Sequence, residues 1–174
     1  MPDLDQPTSL AGLVRRLAAR IDSDALSPGD RASLRKLDPE HPPLIFWKMV
    51  AADEELGDQL HRPGGRRAER WAAVLQALAI LGELRSDQIY LGRALAEARF
   101  SELRLERLLR GDEASQLEHV RLTARFLAAK GQAVEPTHLA RLILEDDPER
   151  AETLRRDIAR AYFHSLHRAT TQET

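Results

Sequence analysis

The feature that most constrains this chain is a succession of apolar stripes at helical spacing, broken by Pro and Gly and nowhere replaced by strand-like alternation. Leu10, Leu13, Val14, Leu17 and Ile21 stand at i, i+3, i+4 and i+7 intervals, which places them on one face of a helix, with Arg15, Arg16 and Arg20 off that face. Ser27 before Pro28, Gly29 and Asp30 supplies an N-cap, a helix-compatible first-turn proline and an acid for the helix dipole. A short helix through Arg31 and Leu37 follows.

Asp38–Pro39 and Pro42–Pro43 punctuate the chain, because proline disfavours helical geometry in the residue before it; a helix through Phe46, Trp47 and Val50 starts after them. Gly57 to Gly65, ending in Pro63-Gly64-Gly65, reads as an exposed loop and a hinge. From Arg67 to Leu84 apolar residues wrap the helix almost completely, the pattern of a segment buried among others. Further helices are expected over 88–98, 102–110 with Gly111 as its stop, 114–130 ending at Gly131, 138–144 and 149–167. The expected class is therefore all-α: a helical bundle of about eight helices without a sheet, one domain over 1–174. Any division into two lobes would separate 1–56 from 67–168 at the loop 57–66.

Composition removes several classes of function. The chain has no cysteine, which excludes disulfide scaffolds, thiolate nucleophiles and Cys-ligated metal sites. No apolar run reaches the roughly 18–20 residues that span a bilayer, and MPDLDQPTSL lacks the pattern of a secretory leader, so the expected location is the cytoplasm. Phosphate loops, a Gly-x-Ser-x-Gly elbow and a His-Glu-x-x-His helix do not occur. His164 and His167 are spaced to share a metal but bring no third ligand, so neither a metal nor any other cofactor is expected, and no small-molecule substrate. Acidic runs such as Glu145-Asp146-Asp147 read as solvated helix ends.

Net charge is −2, so any basic surface must be local. Of the 26 basic residues only Lys36, Lys48 and Lys130 are lysine, leaving 23 arginines. The planar guanidinium fork suits phosphate, although a GC-rich genome gives the same bias. Arg93, Arg99, Arg104, Arg107, Arg110, Arg121, Arg125 and Lys130 fall on three successive helices, with Arg107/Arg110 and Arg121/Arg125 paired on single helix faces. Two side chains of such a pair can hold neighbouring phosphates. Against this, Glu97, Glu102, Glu106, Glu113 and Glu118 can neutralise them as helix-surface ion pairs, and spacing alone favours that reading. Arg62, Arg66, Arg67 and Arg70 have only Glu69 nearby in sequence and form the better electrostatic candidate; Arg31, Arg35 and Lys36 form a third group. Trp47, Trp71, Phe126 and Tyr162 fall at apolar helical positions and read as core aromatics.

Leu91-Gly-Arg-Ala-Leu-Ala-Glu-Ala98 and Ser101-Glu-Leu-Arg-Leu-Glu-Arg-Leu-Leu-Arg110 are similar to the signature stretch of the CasB-type small subunit of Cascade, the type I-E CRISPR RNA-guided surveillance complex. The resemblance continues through Arg125-Phe-Leu-Ala-Ala-Lys-Gly131, Leu139–Leu144 and Arg155–Tyr162, and reaches back to Arg31–Lys36. It implies a non-enzymatic helical subunit, two copies of which lie inside the complex beside the other Cascade subunits, the crRNA/target DNA hybrid and the displaced single-stranded DNA. It would stabilise the R-loop by contacts to the backbone that ignore sequence.

The resemblance further implies nucleic-acid-facing roles for Arg35, Lys36, Arg110 and Arg125, with Arg70 matching a basic family position approximately. Arg93 and Arg104 lie inside the signature, Arg93 directly after a glycine that leaves a packing role open. Arg107, Arg121 and Lys130 complete the candidate set. Pro136 departs from the pattern, where an aromatic is common. The competing reading is a protein–protein scaffold whose arginines serve subunit contacts alone.

Overall fold

The structure, a computed structural model, describes residues 9–172. The stretch 1–8, which carries most of the MPDLDQPTSL reading, lies outside the described residues. Among the described residues ten α-helices follow one another: α1 (Leu10–Asp22), α2 (Pro28–Lys36), α3 (Leu44–Ala52), α4 (Glu54–His61), α5 (Arg67–Leu81), α6 (Leu91–Glu97), α7 (Glu102–Arg110), α8 (Glu113–Ala129), α9 (Thr137–Leu144) and α10 (Pro148–Gln172). A 3-10 turn at Gly82–Leu84 extends α5. The all-α class holds: the described residues contain no strand, and their β-type pairing is confined to isolated bridges at Asp38–His41 and Arg85–Val134.

Local chemistry accounts for the helix ends. In α1 the expected stripe is the buried face, since Leu13, Val14, Leu17 and Ile21 are all enclosed. Burying each such side chain contributes about 2 kcal/mol. Ser27 accepts from the Asp30 amide at 3.0 Å while the Asp30 carboxylate accepts from the Ser27 amide, a reciprocal cap that starts α2. Ser101 and Asp112 cap α7 and α8 in one direction only, accepting from the amides of Arg104 and Ser115.

The described helices number ten against the expected eight or so, residues 88–90 precede α6 and do not belong to it, and one segment reverses its reading. Residues 57–61, expected as loop, belong to α4; the Asp53 carboxylate accepts from the Leu56 amide at 3.0 Å and caps that helix, and Leu56 is buried. Only 62–66 connects α4 to α5. Gly57 masked a helix that its cap and its buried leucine sustain.

Helix α5 forms the middle of the bundle. Trp71, Val74, Leu75, Leu78 and Leu81 are buried, and the helix packs against α1, α2, α4, α8 and α9. Buried side chains from Leu13 to Tyr162 belong to one hydrophobic cluster. On the far side α10 packs along α6 and α9 through Leu154, Ile158 and Tyr162. The α6–α10 contact requires Gly92: a Cβ there would stand 2.7 Å from the Ala161 Cβ, and closer still to the Ile158 carbonyl oxygen. The Tyr162 hydroxyl donates to the Phe100 carbonyl, which joins α10 to the chain just before α7.

Candidate nucleic-acid interface

The candidate cations separate by what their helices place beside them. At the end of α2, Arg35 and Lys36 are exposed and carry no ion pair among the described residues. Their backbone is fixed from the core, because the buried Gln76 amide of α5 donates to the carbonyls of Arg35 at 3.3 Å and Leu37 at 2.8 Å. Arg31, the third member of that group, instead donates to the carbonyls of Ile21, Asp22 and Ser23 and closes the end of α1.

The group at the start of α5 behaves differently. Arg67 is 8% exposed and pairs with Asp146 at 3.0 Å. Burial makes its guanidinium give up its proton more readily than usual, and the Asp146 charge opposes that trend. Arg70 reaches Asp146 at 2.5 Å with one nitrogen and Glu113 at 2.7 Å with the other, a strut between α5, the start of α8 and the turn before α10. Burial works against its charge, but the hydrogen bonds to Glu113 and Asp146 prevail and hold the proton more tightly than usual. Arg66 pairs with Glu69 and Glu40, and it begins α5 from a left-handed conformation, φ 56°. Apart from Glu69, the acids that answer this cluster lie far away in sequence, so its net positive charge does not survive folding.

Three further candidates are held within their own helices. Arg93 pairs with Glu97 at 2.7 Å, Arg110 with Glu106 at 2.9 Å, and Arg121 with Glu118 at 2.7 Å. The hydrogen bond from Glu118 strengthens the hold of Arg121 on its proton. Arg110 nevertheless remains 79% exposed, where such a pair contributes little and can be exchanged for another anion.

Arg104, Arg107, Arg125 and Lys130 remain. All four are exposed on the α7–α8 hairpin and none has a carboxylate partner among the described residues. Arg104 and Lys130 converge over one ring: the Arg104 guanidinium carbon lies 5.3 Å from the Phe126 centroid and the Lys130 ammonium 5.8 Å from it. Phe126 is thus only partly a core residue; the Phe126–Lys130 spacing of four within α8 is the one sequence signal of this cluster. Trp71 and Tyr162 are core residues as expected, whereas Trp47 is 46% exposed. Helix α3 is apolar apart from Lys48, with Ile45, Phe46 and Met49 facing inward, so spacing alone did not orient Trp47.

Among the described residues no group of three potential ligands could hold a metal ion, and no helix is long and apolar enough to cross a membrane. What fold and surface define is an all-α subunit whose exposed cations lie on helices fixed by a common core. The chain matches the family model of the CRISPR-associated protein Cse2 over residues 30–163. It belongs to that family, the structural small subunits of the type I-E Cascade complex. No curated protein and no solved structure matches it. The matched region begins inside α2 and ends inside α10, so α1 precedes it while packing on α5 and α9 within the same core.

Proposed function

We propose that this chain is a non-catalytic Cascade subunit that binds nucleic-acid backbone without reading sequence and stabilises the R-loop, above all its displaced non-target strand, in antiviral defence in the cytoplasm. The observation that carries the reading is that six of the candidate cations, Arg35, Lys36, Arg104, Arg107, Arg125 and Lys130, are exposed and have no acidic partner among the described residues. Guide pairing supplies sequence specificity in such a complex, so backbone contacts suffice. Arg93, Arg110 and Arg121 contribute by exchanging a glutamate for a phosphate, and Arg70 contributes least because both arms of its fork are engaged. The partners are the other Cascade subunits, a second copy of the chain, the crRNA/target hybrid and displaced single-stranded DNA.

The test is Arg107→Glu with Arg125→Glu in the reconstituted complex. The variant folds, assembles, and holds the R-loop with lower affinity and a flatter salt dependence. Unchanged target binding with an unchanged salt slope would reject the assignment.

A second reading, a scaffold without nucleic-acid contact, is favoured by the exposed apolar side chains Leu44, Trp47, Leu103, Leu122 and Phe163. It predicts co-purification with the complex but no DNA crosslink to α7 or α8.

A further inference from the structure

Phe126 is half-buried near the end of α8 with Phe100 edge-on against it, ring centroids 5.0 Å apart at 70°. Two cations from different places in the chain lie over this ring: Arg104 from the first turn of α7 and Lys130 from the end of α8. Like charges repel, and exposed Arg and Lys side chains ordinarily sample many rotamers. With no ion-paired carboxylate on either among the described residues, the negative face of the ring is the attraction that holds both in place. A ring attended by two cations is poorly placed to stack a base, but it is well placed to hold those cations in one geometry.

We propose that Arg104, Phe126 and Lys130 form a preordered two-cation site for the phosphodiester groups of single-stranded nucleic acid, in which Phe126 is a positioning residue that touches no ligand. The site rests on the nucleic-acid reading above and adds to it a reason why these two cations outweigh others of equal charge: less side-chain freedom is lost when phosphate binds.

The experiment measures binding of fluorescent oligo(dT) and oligo(U) to the full chain by anisotropy over a salt series, with circular dichroism and thermal melting as folding controls. Phe126→Leu keeps every charge, so affinity falls about fivefold while the salt slope stays at its wild-type value. Phe126→Tyr keeps the ring and binds as wild type. Arg104→Ala and Lys130→Ala each weaken binding and flatten the slope by about 0.7. These exposed positions carry the test even if Phe126→Leu does not fold.

Losses with oligo(dT) alone assign the site to DNA, losses with oligo(U) alone to RNA, and either supports it. A folded Phe126→Leu protein that binds like wild type, or alanine variants with the wild-type slope on both polymers, overturns the site while the broader reading stands. A wild-type chain with no salt-dependent binding to either polymer overturns that broader reading and the site with it.

Discussion

The start of α5 and the α7–α8 hairpin are both rich in arginine and place it in contrasting surroundings. At α5, Arg66, Arg67 and Arg70 are drawn against Glu40, Glu69, Glu113 and Asp146, and the guanidinium groups act as struts between helices. On the hairpin, Arg104, Arg107, Arg125 and Lys130 face solvent with no ion pair among the described residues. The availability of a cation is therefore decided by which carboxylates the fold brings to it, not by how many basic residues surround it in the sequence. A buried or half-buried pair is costly to break because the remaining charge stays desolvated, whereas an exposed cation is worth little to stability and remains free to meet a polyanion.

Substitutions can break this contrast. Gly92→Ala tests the seat on which the hairpin side depends; its methyl group would meet Ala161 and the Ile158 carbonyl of α10, and the expected loss is about 3 kcal/mol, read as a lower urea midpoint. Asp146→Ala orphans Arg67 and one arm of Arg70 and should cost about 2 kcal/mol in the same assay. Arg107→Ala and Arg125→Ala should each shift stability by less than about 0.5 kcal/mol while weakening nucleic-acid binding. If those two replacements destabilised the fold as much as Asp146→Ala, the contrast between the regions would be wrong.

Acid sharpens the contrast further. Asp53 caps α4 and accepts from Arg16 at 2.8 Å; that hydrogen bond holds its carboxyl below the usual aspartate value. The contribution is complete above the ordinary value near 3.8 and is lost as pH falls below it toward the lowered folded value. Asp53→Asn should flatten that acid limb of the stability curve. His138, stacked on Tyr90 with a buried Nδ1 that lacks a partner, is held below its usual 6.5 by burial, with the charge of Arg141 acting in the same direction and those of Glu135 and Asp157 against it. It favours the folded state while neutral, so a smaller loss begins as pH falls below 6.5. His138→Gln should remove that step from urea midpoints measured between pH 7 and pH 5.

Much of this was legible from residue order where the cause is local. The α1 stripe, the Ser27–Asp30 cap and the short-range pairs Arg93–Glu97, Arg110–Glu106 and Arg121–Glu118 follow from spacings of three or four residues. Helix α4 was hidden because Gly57 and the nearby Pro-Gly-Gly outweighed its cap, although burial of Leu56 decides the matter. The engagement of Arg70 by Asp146, 76 positions away, has no local signature, and neither does the approach of Arg104 to Phe126. Trp47 illustrates a third limit: a helix with a single charged residue, Lys48, does not reveal how far its neighbours face water.

The close seat at Gly92 reaches beyond its own helix pair. Ile158 and Ala161 press on α6, Tyr162 on the same helix is bonded to Phe100, and Phe100 abuts Phe126. The C-terminal helix is thus the datum against which the hairpin is registered, and a shift of one helical turn along α10 would carry the aromatic pair with it.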